Sequence, residues 1–369
     1  MGGIDGERHR LILPVGWTAV TFGVVRRSEA DMDLTALDRH GDIDATAGMV
    51  DFAVNVRGAT PVWLRDELRH RIDDVARYPS RADELAAVRA VGDTHGRPPS
   101  EILLLAGAAE GFALLPNLRP RRVALVQPSF TEPERVLRAA GIAVDQVVLP
   151  EPWHLDTADI DDDVDMIVLG NPTNPTSVLH PRSAVEALRR PGRTIVVDEA
   201  FADVTVGEPE SLASSGFDDV IVIRSVTKTF ALAGLRAGYL LAAAPVVARL
   251  ASTRPHWPMG TLQLAAIEMC LGERGHAHAR HEAQTVTTDR EAMVAALTEA
   301  GVEVCGTPAA SFVVVRVADG TSVKNHLAQG GFAVRSCANF VGMTPDHLRL
   351  AVRDPATVAR LLDAWKDVI

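Results

Sequence analysis

Three segments decide the fold, Met166–Thr176 (MIVLGNPTNPT), Thr194–Phe201 (TIVVDEAF) and Val220–Lys228 (VIVIRSVTK). Each begins with four apolar or β-branched residues and becomes polar within the next few positions. Short apolar runs of this kind are typical of strands that are buried on both faces, as in parallel sheets. The segments therefore predict neighbouring parallel strands whose polar residues meet at the carboxyl edge of one sheet.

The same alternation of apolar runs and amphipathic segments extends to both sides of this region. Helical patterns at Glu132–Ala140 and Arg182–Arg189 separate some of the runs. The predicted strands are Ile102–Leu105, Val123–Val126, Val144–Leu149, Met166–Leu169, Thr194–Val197 and Val220–Ile223. Such strand–helix alternation predicts an α/β fold, with a mainly parallel sheet and helices on both of its faces.

From residue 261 the pattern changes to a long helical stretch followed by mixed short strands and helices. This change predicts a smaller α+β unit that is long enough to have its own core. We therefore expect an N-terminal arm (residues 1–50), a large domain (51–260) and a small domain (261–369) that includes part of the arm.

Composition excludes several classes of protein. The chain has 369 residues, of which 47% are apolar, and a formal net charge of -11, which argues against nucleic acid or an anionic membrane as the main partner. Cys270, Cys305 and Cys337 are too few and too far apart for a disulfide framework or a zinc site. No stretch approaches the about 20 apolar residues that a membrane helix needs. We expect a cytoplasmic protein that binds no metal.

The strand ends deliver different functional groups to one edge of the predicted sheet. They are Asn171 and Asn174 after the first strand, Asp198 after the second, and Ser225, Thr227 and Lys228 after the third, with Gly234-Leu235-Arg236 shortly beyond. Only three of the 37 basic residues are lysines, Lys228, Lys324 and Lys366. A lysine in this cluster therefore indicates a task that arginine cannot perform.

With these motifs the chain resembles the fold-type-I enzymes that use pyridoxal 5'-phosphate (PLP), the class I/II aminotransferase superfamily. The shared motifs are Asn-Pro-x-Asn-Pro-Thr, Asp-x-Ala-aromatic, Ser-x-x-Lys and Gly-x-Arg, in this order along the chain. The resemblance covers nearly the whole chain from His40 onward. It implies a mainly parallel seven-stranded sheet between layers of helices, together with a smaller α+β C-terminal domain.

The resemblance implies a role for each residue around the cofactor ring. Lys228 would form a Schiff base with the PLP aldehyde, which a guanidinium cannot do. Asp198 would pair with the ring nitrogen and raise its pKa, so that the ring can accept electrons. Asn174 would donate a hydrogen bond to the ring oxygen, Phe130 would stack on the ring, and Ala200 belongs to the same cofactor motif. Lys228 and Asp198 are therefore the catalytic candidates.

The resemblance also implies how the cofactor phosphate is held. Its candidate ligands are Ser225, Thr227, Arg236 and the backbone at Gly107, Ala108 and Ala109, where a helix begins. Tyr78, which precedes Pro79, matches a motif whose tyrosine reaches the PLP phosphate of the neighbouring subunit. This match implies a homodimer with shared active sites.

The same residues have simpler structural interpretations. Asp198 could cap a helix, Asn174 could shape a turn, Ser225 and Thr227 could be surface hydroxyls, and Gly107 could serve packing. Their order along the chain favours PLP binding over these interpretations taken one by one. No Walker loop or G-x-G-x-x-G sequence is present, so we infer no nucleotide.

Two further groups of residues are predicted to lie on the surface. The histidines at positions 276, 278 and 281 lack the i, i+4 spacing of a helical metal site, and so predict a solvated helix face. Lys324 and Lys366 are predicted to be surface charges.

Within the superfamily, the chain resembles the threonine-phosphate decarboxylases of cobalamin biosynthesis and the histidinol-phosphate aminotransferases. Phe201 stands where aminotransferases mostly have tyrosine, and the decarboxylases share this absence of a hydroxyl. We therefore predict decarboxylation of L-threonine-O-3-phosphate. Amino-group transfer from histidinol phosphate to 2-oxoglutarate is the alternative. A third possibility, a degenerate fold that serves as a binding module, conflicts with the intact Lys228, Asp198 and Arg236.

The resemblance implies that His40, Asn55, Arg335 and Arg349 bind a small phosphorylated amino acid or amine. The planar guanidinium suits a carboxylate or a phosphate, although salt bridges inside the small domain are the alternative for both arginines. The chain departs from the family where Asn55 is followed by Val56-Arg57-Gly58 rather than by a second Asn-Pro step, and where Ser177 replaces a glycine. The first departure borders the substrate, so the identity of the substrate is left open.

Overall fold

The computed structural model describes residues 44–366. His40, a predicted substrate residue, and most of the predicted N-terminal arm lie outside this range. The described chain begins with a two-residue strand, β1 (Val50–Asp51), followed by helices α1 (Val62–His70) and α2 (Arg81–His95). Ser80 caps α2 by accepting a hydrogen bond from the Asp83 N–H at 3.0 Å.

A seven-stranded sheet forms the next part of the chain, as expected. Its strands and the helices between them are β2 (Ile102–Leu105), α3 (Ala108–Leu114), β3 (Arg122–Gln127), α4 (Glu132–Ala139), β4 (Ala143–Val148), β5 (Met166–Gly170), α5 (Arg182–Glu186), β6 (Thr194–Asp198), β7 (Val220–Ser225) and β8 (Gly238–Leu241). The strand order is β2-β8-β7-β6-β5-β3-β4. Strands β7, β6, β5, β3 and β4 are parallel to one another, whereas β8 runs antiparallel to both of its neighbours.

Strand β8 is absent from the six strands predicted by sequence, because its four residues directly follow a turn and show no separate pattern. In the structure, Gly238 lies opposite Ser225 on β7. A Cβ at Gly238 would lie 2.6 Å from the carbonyl oxygen of Arg224. A glycine is therefore required where the two strands meet beside the site.

The large sheet is apolar on both faces because helices cover both. Along β5, Ile167 and Leu169 belong to one apolar cluster, and Met166 and Val168 belong to another. Helices α1, α2 and α7 (Thr261–Cys270) contribute to the first cluster, and α3, α4 and α6 (Ala244–Ala251) contribute to the second. This burial confirms the expectation drawn from the continuous apolar runs.

The last part of the chain forms an α+β unit with a core of its own. Its elements are α8 (Glu273–Glu299), β9 (Glu303–Cys305), β10 (Phe312–Arg316), α9 (Gly320–Gln329), β11 (Phe332–Ala333), β12 (Arg335–Ser336), β13 (His347–Ala351) and α10 (Pro355–Trp365). The antiparallel sheet has the order β12-β13-β10-β9, and β1 pairs with β11. Phe52, directly after β1, is buried in this core beside Met293 and Trp365. The domain limits at residues 50/51 and 260/261 stay predictions.

The N-terminal segment thus joins the core of the smaller unit, although it precedes the large sheet in the chain. This crossing brings residues 53–56 against the carboxyl edge of the large sheet, as the cavity described below shows. Within residues 44–366, no helix has both the length and the apolar character needed to span a membrane.

Candidate active site

A cavity of about 480 Å³ lies at the carboxyl ends of β5, β6 and β7, where parallel sheets bind their ligands. The predicted site residues in its lining are Asn55, Ala108, Ala109, Phe130, Asn174, Asp198, Ala200, Ser225, Thr227, Lys228, Arg236, Arg335 and Arg349. The structure therefore brings together groups that are up to about 290 positions apart in the sequence. Each can be examined for what it offers to a ligand.

Lys228 follows β7 by three residues and presents its amine to the cavity. Burial, together with the positive charges of Arg349 and Arg236, lowers the pKa of Lys228 to about 8, and Asp198 opposes this shift. About a tenth of the amine is then neutral at pH 7. A neutral amine carries the lone pair that a nucleophile or a base needs, so Lys228 is prepared for both tasks.

Asp198 is the last residue of β6, and one of its oxygens accepts a hydrogen bond from the Ala200 N–H at 3.1 Å. Burial raises the pKa of Asp198 to about 6. The next helical turn starts at Ala202 with Phe201 before it, so capping of a helix does not account for Asp198. In the described part of the chain Asp198 forms no salt bridge, and such a buried carboxylate favours a ligand that carries a protonated nitrogen.

Ser225, Thr227 and Arg236 line the cavity, and Gly107 lies against Arg236. The hydroxyls of Ser225 and Thr227 are hydrogen-bonded to each other at 2.7 Å. Gly107 has φ 87°, and a Cβ there would lie 2.6 Å from Nη2 of Arg236. Arg236 donates to the Ala233 carbonyl at 3.1 Å and has no carboxylate partner among residues 44–366. Two hydroxyls, a guanidinium and the start of α3 form a cradle that fits a phosphate.

Asn174 and Arg349 form a second polar pair. Arg349 donates to Asn174 Oδ1 at 2.5 Å and to the Ala53 carbonyl at 2.7 Å, and its buried Nε has no partner in the described part of the chain. Burial lowers the pKa of Arg349 to about 10. Over the described range, no carboxylate lies within salt-bridge distance of this guanidinium, so an internal salt bridge does not explain it. A buried cation without a counter-ion favours an anionic ligand.

Arg335 differs from Arg349, although it also lines the cavity. It donates to Asn339 at 2.7 Å and pairs with Asp44 at 3.4 Å, so the internal salt bridge considered above is present here. Asp44 also pairs with Lys324 at 2.7 Å. The prediction that Lys324 is a surface charge is wrong, because its side chain is only 19% exposed and shares the Asp44 carboxylate with Arg335.

Asn55 is buried in the cavity wall, and its Oδ1 has no hydrogen-bond partner among residues 44–366. An unsatisfied buried acceptor costs about 1–3 kcal/mol, so a ligand that donates a hydrogen bond is expected here. Ala53, Val54 and Val56 line the same wall and were not predicted. Their sequence shows no chemical motif, and only the crossing of the N-terminal segment places them here.

Aromatic rings form another part of the lining. Phe130 packs on Phe112 with ring centroids 6.3 Å apart, and Phe201 meets the edge of Phe312 at 4.9 Å. Phe201 lies 5.9 Å from the Lys228 amine, measured to its ring centroid. Phe201 offers an apolar surface without a hydroxyl beside this amine. Further lining residues that were not predicted as site residues are Phe112, Thr131, Glu132, Phe201, Ala233 and Phe340.

Tyr78 and Gly107 are the described candidates that do not line the cavity. Gly107 supports it through Arg236, as described above. The side chain of Tyr78 is 75% exposed and stacks on Trp257, which is 57% exposed, at a centroid distance of 4.2 Å. The expectation that Tyr78 serves a neighbouring subunit stays a prediction, and His40 lies outside the described residues.

A buried ion pair lies beneath the strand ends, on the side away from the cavity residues. Arg224 donates to Glu199 at 2.9 Å and to Glu208 at 2.7 Å, and Glu199 also accepts from Ser211. Side chains alternate along a strand, so Glu199 points away from the face that carries Asp198, and Arg224 points away from the face that carries Ser225. The pair therefore ties β6 to β7 where both supply cavity residues.

Glu151, Cys305 and His347 place potential metal ligand atoms within 4.8 Å of one another. The Thr344 N–H donates to His347 Nδ1 at 3.1 Å, which leaves the ring proton on Nε2, the atom that faces Glu151. Glu151 is also paired with Arg316. A protonated Nε2 and a competing guanidinium fit an ion-pair network better than a metal site.

The prediction of a solvated histidine face on α8 is wrong for two of its three residues. His276 is hydrogen-bonded to Thr94 at 3.1 Å, and His278 lies 3.3 Å from the Thr229 carbonyl. Helix α8 packs against the chain just after Lys228, so this face is partly buried. His281 is exposed, as predicted.

Comparison with known proteins gives three kinds of match. A family model described as aminotransferase class I and II matches residues 46–364. A histidinol-phosphate aminotransferase of Mycobacterium tuberculosis (strain ATCC 25618 / H37Rv) is 51% identical over 333 residues, which are 89% of this chain and 91% of that protein. A threonine-phosphate decarboxylase of Salmonella typhimurium is 28% identical over 335 residues, 87% and 91% of the two chains. The crystal structure of the histidinol-phosphate aminotransferase from Clostridium acetobutylicum has the same fold, with TM-score 0.79 and 23% identity over 87% of this chain and 99% of that one.

Proposed function

The chain belongs to the aminotransferase class I and II family, and from this premise we propose that it transfers an amino group from a small phosphorylated amine to a 2-oxo acid. Histidinol phosphate is the first donor to test, with 2-oxoglutarate as the acceptor. The chain is an enzyme of this family and uses PLP. The site residues described above fit that cofactor. A Cβ at Gly107 would lie 2.6 Å from Nη2 of Arg236 and would fill the cradle that suits the phosphate, so a glycine keeps this space open.

PLP, when bound, supplies an aldehyde and a ring that accepts electrons from a bond at the substrate Cα. Ser225, Thr227 and Arg236 would hold its phosphate, since their hydroxyls and guanidinium face the same cradle. Asp198 would hold a proton on the ring nitrogen, because its carboxylate is buried and forms no salt bridge within residues 44–366. Asn174 would contact the ring from the neighbouring strand end.

Lys228 carries the chemistry of the chain itself. Its pKa of about 8 leaves part of the amine neutral near pH 7, so the amine can hold the aldehyde and later remove and return a proton at the substrate Cα. No other described lysine lines the cavity. Lys324 is engaged with Asp44, and Lys366 is paired with Asp363 on the surface.

One observation carries the proposal: the Lys228 amine lies near two guanidinium groups that have no carboxylate partner in the described chain. Arg236 and Arg349 line the same cavity as Lys228, and the positive charges of both lower its pKa. One of them suits the phosphate of the cofactor, and the other suits an anionic group of the substrate. An amine between two anion sites fits an enzyme that joins a phosphorylated cofactor to an anionic amine.

The choice of reaction rests on the relatives. The 51% identity to a protein named histidinol-phosphate aminotransferase supports transamination, whereas the relative named threonine-phosphate decarboxylase is 28% identical. This reverses the order of preference that the sequence motifs favour. Decarboxylation of threonine phosphate, as in cobalamin biosynthesis, stays the second candidate because Phe201 offers no hydroxyl beside Lys228.

We further propose that the enzyme is a homodimer in which Tyr78 serves the partner's site. Tyr78 and Trp257 stack on each other in an exposed position, and the side chains of Val62, Ile72 and Val75, which precede Tyr78 in the chain, are exposed as well. Exposed aromatic and aliphatic groups of this kind favour contact with another protein surface. A second copy of this chain is the proposed partner, and a cytoplasmic location stays a prediction.

The decisive experiment offers two substrates to the purified holoenzyme. Histidinol phosphate with 2-oxoglutarate should yield glutamate, and O-phospho-L-threonine alone should yield no carbon dioxide. Lys228→Ala should lower glutamate formation at least about 10³-fold, whereas the matched control Lys366→Ala should not change it. Carbon dioxide without glutamate would favour the second candidate. If neither glutamate nor carbon dioxide forms, both candidate reactions are refuted.

A further inference from the structure

The cavity wall formed by residues 53–56, called here the substrate wall, depends on arginines from the smaller unit. Arg349 donates to the Ala53 carbonyl at 2.7 Å, and Arg353 donates to the Asp51 carbonyl at 2.8 Å and to the Val54 carbonyl at 3.2 Å. β1 ends at residue 51, and within the described chain residues 53–56 pair with no strand. Side-chain contacts therefore replace the sheet hydrogen bonds that would otherwise fix its backbone.

Arg57 directly follows the substrate wall and makes three contacts. It donates to Glu282 Oε1 at 3.0 Å, to Asp289 Oδ2 at 2.5 Å and to the Val352 carbonyl at 2.8 Å. Glu282 and Asp289 are two helical turns apart, so they lie on the same side of α8. The Arg57 side chain is only 15% exposed and does not line the cavity. It therefore anchors the wall to α8 and to the chain just after β13.

The residue after Arg57 explains why such an anchor is needed. Gly58 has φ 58°, a left-handed conformation that proline cannot adopt. A proline is therefore incompatible with the backbone conformation at position 58. The family that the chain resembles has an Asn-Pro step in this segment. Within the described chain no atom beyond its chain neighbours lies within 4 Å of a Cβ built at Gly58, and the next side-chain contact is that of the Thr60 hydroxyl, which donates to the Ala231 carbonyl at 2.9 Å. The charged contacts of Arg57 supply the rigidity that a proline ring would otherwise give.

We propose that Arg57 is a positioning residue that sets the substrate wall, and through it selects the anionic substrate; this rests on the proposed function. Asn55 lies two residues before Arg57, and its buried Oδ1 has no partner within the described chain. Arg349, which binds the wall at Ala53, also faces the cavity with an unpaired charge. Moving the wall displaces the orphan oxygen and the arginine contact together, so contacts that bind the substrate are weakened while Lys228, on another element, stays in place.

The test compares holoenzymes that carry Arg57→Met or Arg57→Lys with the surface control Arg69→Met. Arg69 is 67% exposed and also pairs with an aspartate, Asp66, at 3.0 Å. Arg57→Met should raise KM for the phosphorylated donor about tenfold or more, with kcat within about threefold. Arg57→Lys should recover part of the loss. The Kd for PLP should stay within about twofold, because the phosphate cradle lies on other elements.

Two measurements keep the test independent of folding and of the substrate. The pair Glu282→Gln and Asp289→Asn removes the anchor from the side of α8 and should reproduce the rise in KM. Hydrogen–deuterium exchange should become about tenfold faster at residues 53–56 in Arg57→Met and stay unchanged in Arg69→Met. An unchanged KM, or equal losses in KM, kcat and PLP affinity, would overturn the positioning role. If the wild type used neither substrate, the proposed function would fail, and exchange at 53–56 would still decide the role of Arg57.

Discussion

Gly107→Ala tests the phosphate cradle with a single methyl group. Gly107 precedes α3 with φ 87°, and the added Cβ would lie 2.6 Å from Nη2 of Arg236 and 3.0 Å from its Cζ. Contacts this short do not persist, and the end of the arginine side chain is the part that can move. We expect the substitution to displace the guanidinium from the cradle while leaving the sheet intact.

The size of the effect follows from the contacts that are lost. A hydrogen bond to a charged group contributes about 1.5–3 kcal/mol, and about 1.4 kcal/mol corresponds to a tenfold change in Kd. Loss of one Arg236 contact to the phosphate should therefore weaken PLP binding about 10- to 150-fold. Gly107 has φ 87° and ψ 159°, a region that is essentially restricted to glycine, so alanine there should also destabilise the fold by about 1–3 kcal/mol.

A matched control separates these two effects. Gly141 has φ 73°, and no atom lies within 4 Å of a Cβ built there, so Gly141→Ala carries the backbone strain without the clash. PLP binding is measured by titrating the cofactor-free protein, and stability by thermal unfolding. Both variants should lose stability, but only Gly107→Ala should lose PLP affinity. Wild-type affinity in Gly107→Ala would refute the cradle.

Three further predictions concern the ionisable and exposed groups of the site. Burial raises the pKa of Asp198 to about 6 from 3.8, so its ionisation destabilises the cofactor-free fold as pH rises through this window. Asp198→Asn should therefore stabilise that form by up to about 3 kcal/mol at pH 7.5 and by nothing at pH 3, as urea unfolding at both pH values would show. Burial lowers the pKa of Lys228 to about 8, and the neutral amine is the form that reacts with PLP. The rate of PLP uptake, measured by stopped flow, should therefore rise with pH and level off above about pH 8. A rate that does not change with pH would contradict the lowered pKa. If Tyr78 reaches the PLP phosphate in the partner subunit, Tyr78→Ala should lower PLP affinity about tenfold. An unchanged affinity in a variant that sedimentation shows to be a dimer would refute this role of Tyr78.

The sequence predicts the strand ends well because their signals are local. Asp198, Ser225 and Lys228 each follow a recognisable apolar run, and parallel strands bring such ends together without further information. Their side chains do line one cavity. The rarity of lysine in the sequence favoured Lys228. The structure supports this choice, because the other two lysines are paired with carboxylates.

The other side of the cavity was not predictable in the same way. Val54 and Val56 reach it only because Phe52 is buried in the core of the smaller unit, a contact between residues far apart in the chain. Which of the two arginines predicted to bind the substrate is paired with a carboxylate also depends on the fold. Asp44 pairs with Arg335 and not with Arg349, and no spacing in the sequence indicates this difference.

The central claim, that Lys228 holds PLP for an amino-group transfer, can be tested directly because the chain has only three lysines. Borohydride reduction of the holoenzyme fixes PLP to the amine that holds it, and peptide mass spectrometry then identifies that amine. The modification is expected on the peptide that contains Lys228, and it should disappear when histidinol phosphate is added before reduction. Modification at Lys324 or Lys366 instead, or none at all, would contradict it.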